Sequence, residues 1–218
     1  MAVALVSVGC VGDDSERAPV EPVAPLTEPP DTEATATTTT TTAPASTTTT
    51  TTTAPVEARY VFPLEPASVA DFGPTHHDYP ATDIFAPEGT VVVAVTDGVV
   101  DFVSREDTWE PATDDPVVRG GLSVAIVGDD GVRYYGSHLL SVDPGIEPGA
   151  RVTAGQRLGL SGRSGNARDT DPHLHFGISH PTTPEDWAVR RGEIDPVPYL
   201  EAWRRGEHLS PADELGLR

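Results

Sequence analysis

From Arg59 onward, short apolar runs rich in β-branched residues alternate with glycine-centred breaks, the pattern of short strands joined by tight turns. "TVVVAVTDGVVDFV" (residues 90–103) holds two such runs meeting at Asp97-Gly98, which predicts a hairpin. "SVAIVGDDGVRYYGSHL" (123–139) repeats the arrangement, with Asp130-Gly131 at the turn and His138 near the end of the second strand. "GARVTAGQRLGLSGRSGNARDTD" (149–171) predicts one short strand over Arg157 to Leu160, then a loop. In "DPHLHFGI" (171–178), side chains two apart share a face, so Leu174, Phe176 and Ile178 point to the core while His173 and His175 project together from the other side. Only "TPEDWAVRRG" (183–192) and "PVPYLEAWRRG" (196–206) suggest short helices. The pattern implies an all-β fold: a compact, glycine-rich antiparallel β-sandwich or roll with short C-terminal helical pieces.

Ahead of this domain the composition changes. Residues 11–57 are built from Thr, Pro, Ala and Glu with almost no large apolar side chains. Such a segment cannot bury enough surface to offset the entropy of ordering, which predicts a disordered Thr/Pro-rich tether. The expected division is a signal-like segment (1–10), the linker (11–57), the β domain (58–206) and a C-terminal tail (207–218). The opening "MAVALVSVGC" is apolar, uncharged and ends in Gly-Cys. It resembles the end of a bacterial lipoprotein signal, whose cysteine becomes the lipidated first residue. It departs from that pattern in lacking a basic region and in carrying Ser7 three before Cys10, and an upstream basic segment is the expected missing part. This predicts an exported protein of the cell envelope, anchored to the membrane through Cys10. The alternative is a frayed N-terminus with a free thiol.

Charge and cysteine content narrow the chemistry. The net charge is −20, and all 14 basic residues are arginine, a balance that argues against nucleic acid as a partner. One cysteine excludes an internal disulfide and any multi-cysteine metal site. No stretch offers the ~20 apolar residues of a membrane-spanning helix. A metal here must be held by histidine and carboxylate. "THHDYPATDIFAPEGT" supplies His76, His77 and Asp83, "YYGSHL" supplies His138, and "HLH" supplies His173 and His175. Two histidines and one carboxylate meet the needs of a catalytic zinc, which keeps one position for water, lowers that water's pKa to about 7 and polarises a carbonyl oxygen. The remaining histidines can orient the water or steady an oxyanion.

The ordered series "APEGTVVVAVTDGVV", "YGSHL", "GARVTAGQRLGLSGRSGN" and "HLHFGI" resembles the lysostaphin-type, or LytM-like, zinc metallopeptidases over residues 60 to 200. The following "WAVRRGEIDPVPYLEAWRRG" is similar to actinobacterial members. The resemblance implies a peptidoglycan endopeptidase using Zn2+ and acting as a monomer on stem peptides and cross-bridges. It implies Asp83 and His175 as zinc ligands and His138 and His173 as the catalytic pair. The family's HxxxD motif is altered, because Tyr79 stands four residues before Asp83. The first ligand is then His77, if "DYPA" forms a bulge or turn, with His76 as the alternative. If neither serves, the domain is a metal-free module that binds wall or activates other wall hydrolases. Both catalytic histidines and two of three ligands are present, which favours the enzyme.

Asn166, in the loop that lines the groove of family members, is a substrate-contact candidate. Asp169 and Asp171 are expected to shape the loop before the histidine strand. His180 and His208 fall outside the motifs and are expected at the surface. Trp187, Tyr199 and Trp203 are expected to anchor the C-terminal segment by packing.

Overall fold

The computed structural model describes residues 59–217 other than Thr75 and His77. Its strands are β1 (Leu64–Glu65), β2 (Asp71–Phe72), β3 (Thr82–Phe85), β4 (Val91–Val93), β5 (Gly98–Ser104), β6 (Ser123–Gly128), β7 (Arg133–Ser137), β8 (Leu139–Val142), β9 (Arg151–Val152), β10 (Arg157–Ser161) and β11 (His173–Ser179). They form a seven-stranded sheet ordered β2-β3-β11-β7-β6-β5-β9 and a four-stranded sheet ordered β1-β4-β10-β8. Their pairings are antiparallel. Two short helices follow, α1 (Trp187–Arg190) and α2 (Val197–Arg204). The all-β expectation holds, short C-terminal helices included.

The core lies between the sheets. Val92 and Val93 from the small sheet and Val124, Ile126, Leu174 and Phe176 from the large one border a single internal gap of about 20 Å³. Trp203 of α2 closes a further part of it, stacked on Tyr60 and edge-on to Phe176 and Tyr134. Tyr199 and Trp203 are therefore packing anchors, as expected. The chain beyond α2 packs back as well, since Ala212 and Leu215 belong to the core cluster.

The hairpin expected at Asp97-Gly98 does not form. β4 pairs with β1 and β10, while β5 pairs with β6 and β9. The chain crosses from one sheet to the other between them, with Ala94 and Val95 fully buried on the way. A run buried on both sides carries no polar face to say which strand it pairs with. Gly98 is needed for close approach: a Cβ there would come within 2.4 Å of the Val127 carbonyl oxygen. The second hairpin does form, β6 pairing with β7 around Gly131, which sits at φ +80°.

The strand that carries the histidines is held on both edges. β11 lies between β3 and β7, with all seven of its residues buried. Leu174 and Ile178 are fully buried on the core side, as the alternation predicts. Such a central position gives side chains on its other face a fixed direction.

Candidate active site

His175 stands opposite Asp83 in the β11–β3 ladder and opposite Ser137 in the β11–β7 ladder. Its Nδ1 lies 2.9 Å from Asp83 Oδ1, and its Nε2 lies 2.9 Å from the Arg191 carbonyl oxygen. A carbonyl only accepts, so Nε2 carries a proton, and Nδ1 meets the carboxylate either as a second N–H or, in the neutral ring, as a lone pair open to a cation. Two acceptors at that distance repel unless a cation or a second proton lies between them.

His76 completes the set from the segment leading into β3, its Nε2 3.7 Å from Asp83 Oδ2. Ligand atoms of His76, Asp83 and His175 all lie within 4.8 Å of one another. Three ligands of a tetrahedral zinc, bound at ~2.0–2.1 Å, stand roughly 3–3.5 Å apart. The donor chemistry fits zinc, on which the three groups would draw closer together, and the carbonyl behind His175 is the kind of outer hydrogen bond that fixes a ligating imidazole. His77, the first choice for the remaining ligand, lies outside the described residues. The chain bends over residues 78–80 between the histidines and β3, where Pro80 led a turn to be expected.

His173 and His138 flank this set. His173 Nδ1 donates to the Asp171 carbonyl oxygen at 2.9 Å, and its Nε2 lies 3.9 Å from Asp83 Oδ1. His138 Nδ1 donates to the Ser164 carbonyl oxygen, also at 2.9 Å. The two rings meet edge-on with centroids 4.9 Å apart. Both take their orientation from main-chain carbonyls, and in the neutral ring this leaves Nε2 as the acceptor. His138 sits where the chain leaves β7 for β8, at φ +63°, a conformation that costs a non-glycine residue roughly 1–2 kcal/mol. Main-chain bonds hold it there, from His138 N to Gly120 O and from Leu139 N to Leu122 O.

Burial, together with the neighbouring His175 and His173, pushes the His138 imidazole down to about 3, so it is neutral at ordinary pH. Burial works to raise the Asp83 carboxyl. A proton on His175 Nδ1 supplies a hydrogen bond and a charge that, with His173 and His76 behind them, outweigh it and hold that group at about 2; a bound cation would take that proton's place.

These side chains open into a cleft of about 300 Å³ that Asn166, Tyr79, Arg119 and Arg191 also line. Asn166 is exposed, and its main-chain N–H donates to the Arg119 carbonyl oxygen. Asp171 does shape the turn into β11, through its carbonyl. His180 and His208 do not reach the cleft: His180 pairs with Glu193, and His208 lies against the Tyr60 main chain. Trp187 is half-buried on the cleft wall, where it packs against Arg191 of the C-terminal segment.

Three contributors carry no motif. Tyr79, seen in the sequence only as a residue displacing a histidine, packs against His76 with ring centroids 4.4 Å apart, and its hydroxyl lies 3.5 Å from His175 Nε2. Burial pushes its phenol up to about 12, so it stays protonated. Arg191 supplies a carbonyl that any residue type could supply. Gly177 makes that possible, because a Cβ there would stand 2.3 Å from the Arg191 carbonyl oxygen. A glycine two residues past a histidine in a strand pattern is a signal of close backbone approach, though it does not say to what.

Comparison with known proteins gives the family. The chain is 32% identical over 132 residues to an L-Ala–D-Glu endopeptidase of Bacillus subtilis, covering 58% of this chain and 36% of the relative. It is 33% identical over 121 residues to the glycyl-glycine endopeptidase ALE-1 of Staphylococcus capitis, covering 55% and 28%. The matched region thus spans about a third of the length of these relatives. Among solved structures, the antimicrobial peptidase lysostaphin from Staphylococcus simulans shares the fold at a TM-score of 0.51 and 23% identity, over 72% of this chain and 59% of that one. The model of peptidase family M23 matches residues 77–189, and the chain belongs to that family.

Proposed function

We propose that this protein is a zinc-dependent endopeptidase that hydrolyses peptide cross-links of peptidoglycan, working as a monomer in the cell envelope. The observation that carries the reading is the grouping of Asp83, His175 and His76, flanked by two histidines whose Nδ1 atoms are both held by main-chain carbonyls. His76, Asp83 and His175 would hold the metal. Zinc, when bound, supplies a Lewis acid that polarises a carbonyl oxygen and acidifies a water.

The chain's own residues account for the proton steps. The scissile carbonyl carbon is attacked by water, whose proton passes to Nε2 of His138 or His173. The resulting imidazolium is held by its Nδ1–H bond to Ser164 or Asp171. From Nε2 that proton goes to the leaving amine nitrogen as the C–N bond breaks, which restores the neutral histidine. The Tyr79 hydroxyl, which stays protonated, is the donor toward the oxyanion. Asn166, on the cleft wall, contacts the peptide.

The full histidine set favours the enzyme over a metal-free module that binds wall or activates other hydrolases. A lipid anchor at Cys10 remains part of the proposal, and that residue lies outside the described ones. The test is to purify the protein, measure its zinc content and incubate it with cross-linked peptidoglycan. One equivalent of zinc and release of new amino termini are expected. A protein that holds no zinc and releases no amino termini would favour the module.

A further inference from the structure

Three arginines line the cleft, and they are not equivalent. Arg119 forks onto Asp114, with Nε 2.8 Å from Oδ1 and Nη2 2.6 Å from Oδ2. Arg190 is 4% exposed, lies over Phe102 at 3.7 Å and donates to the Pro184 carbonyl. Arg191 differs from both. Its guanidinium lies 3.7 Å from the centre of the Tyr79 ring and 5.0 Å from that of Trp187, and it has neither a carboxylate nor a hydrogen-bond acceptor among the described residues. Its Nε is a buried donor without a partner.

That is unusual in a chain with 34 acidic residues against 14 basic ones, most of whose described arginines are ion-paired. The aromatic rings explain how the guanidinium is held in place. They do not satisfy its in-plane N–H donors, whose fork matches a carboxylate. The placement is also tied to the chemistry, because the carbonyl of the same residue holds His175 at 2.9 Å. The Tyr79 ring that carries the guanidinium also packs His76 at 4.4 Å, so the free fork lies within roughly two residues of extended peptide from the ligand set, at about 3.3 Å per residue. A protein of net charge −20 repels an anionic peptide, and a fixed cation beside the reacting bond offsets that locally.

We infer that Arg191 is a carboxylate-binding residue of the cleft, and that the preferred substrate carries a free carboxylate within two residues of the bond that is cut. This rests on the endopeptidase reading and narrows its substrate class. Two synthetic cross-link peptides test it, identical except that one bears a carboxylate beside the scissile bond and the other the carboxamide. The zinc-loaded full chain should prefer the carboxylate peptide by roughly 10- to 100-fold in kcat/KM, the size of a charge-assisted hydrogen bond, mostly through KM. In Arg191→Gln that ratio should fall to near one, whatever happens to the absolute rate. A wild-type ratio of one, or a ratio that survives in Arg191→Gln, overturns the inference. If neither peptide is cleaved, the endopeptidase reading fails separately, and calorimetric binding of the same two peptides decides: equal affinities in the wild type overturn the carboxylate site.

Discussion

Asp83 Oδ1 and His175 Nδ1 face each other at 2.9 Å across the β3–β11 ladder, and the Arg191 carbonyl holds the opposite nitrogen of the same imidazole. In the neutral ring the proton that the carbonyl demands on Nε2 leaves an acceptor facing an acceptor, an arrangement suited to a metal. Replacing His175 or Asp83 by alanine should therefore abolish stoichiometric zinc, read by elemental analysis of the dialysed protein. His76→Ala should do the same and His77→Ala should not; the reverse outcome would make His77 the first ligand. Zinc at a thousandfold excess over its Kd stabilises the folded state by about 4 kcal/mol, so a chelator should lower the melting temperature of the wild type and leave His175→Ala unmoved.

His138 and His173 take their orientation from the Ser164 and Asp171 carbonyls. Alanine at either position should cost ~10²–10⁴ in kcat, the usual value of a positioned acid–base group, while one equivalent of zinc is kept. For His138 the variant of choice is Asn, which tolerates positive φ and so separates lost chemistry from lost backbone geometry. Full activity in His138→Asn on cross-linked wall fragments would remove His138 from the mechanism.

Much of this site was legible in the sequence, and the limits have physical causes. His173 and His175 were readable because a strand has a period of two and Leu174, Phe176 and Ile178 mark its core face. Asp83 was readable from the strand-like Ile84 beside it, and His138 from the hairpin that ends there. The pairing of β4 was not, since a run buried on both faces carries no register signal. The contribution of Arg191 was hidden for another reason: it acts through its carbonyl, which every residue has. Tyr79 was hidden because the bend over residues 78–80, and not a fixed spacing, brings its ring to His76.

Gly177 supplies a test of that hidden part. A Cβ on it would stand 2.3 Å from the Arg191 carbonyl oxygen and 3.0 Å from Gly192 Cα, both main chain that cannot swing aside. Gly177→Ala should push the carbonyl off His175 Nε2 and free the ring. Loss of such an outer hydrogen bond typically weakens metal affinity by ~10–100-fold. Competition with a chromogenic chelator measures the change, and circular dichroism checks that the variant remains folded. Unchanged zinc affinity in a folded variant would show that the carbonyl does not position the ligand.

Away from the cleft, His180 joins the end of β11 to the C-terminal segment, with Nδ1 2.9 Å from Glu193 Oε2 and Nε2 2.8 Å from the Leu215 carbonyl oxygen. Both ring nitrogens face acceptors, so the clamp suits the imidazolium. The Glu193 hydrogen bond raises the His180 pKa above its ordinary 6.5 against a small opposing effect of burial, with the Leu215 carbonyl adding to the rise. Burial works to raise Glu193, but the hydrogen bonds and charge of His180 hold it below its ordinary 4.5. The folded state thus binds the histidine proton more tightly than the unfolded chain, and this contribution is complete below about 6.5 and lost as pH rises through the folded value. The Glu193 contribution has the opposite sign, complete above about 4.5 and lost as pH falls. Both are present only between these limits, and since each partner is more than a third exposed the effect is shallow. Urea midpoints compared between wild type and His180→Gln should differ most near pH 5.5 and converge as pH rises past 8. A difference that grows on the alkaline side would mean that His180 is held as the neutral ring.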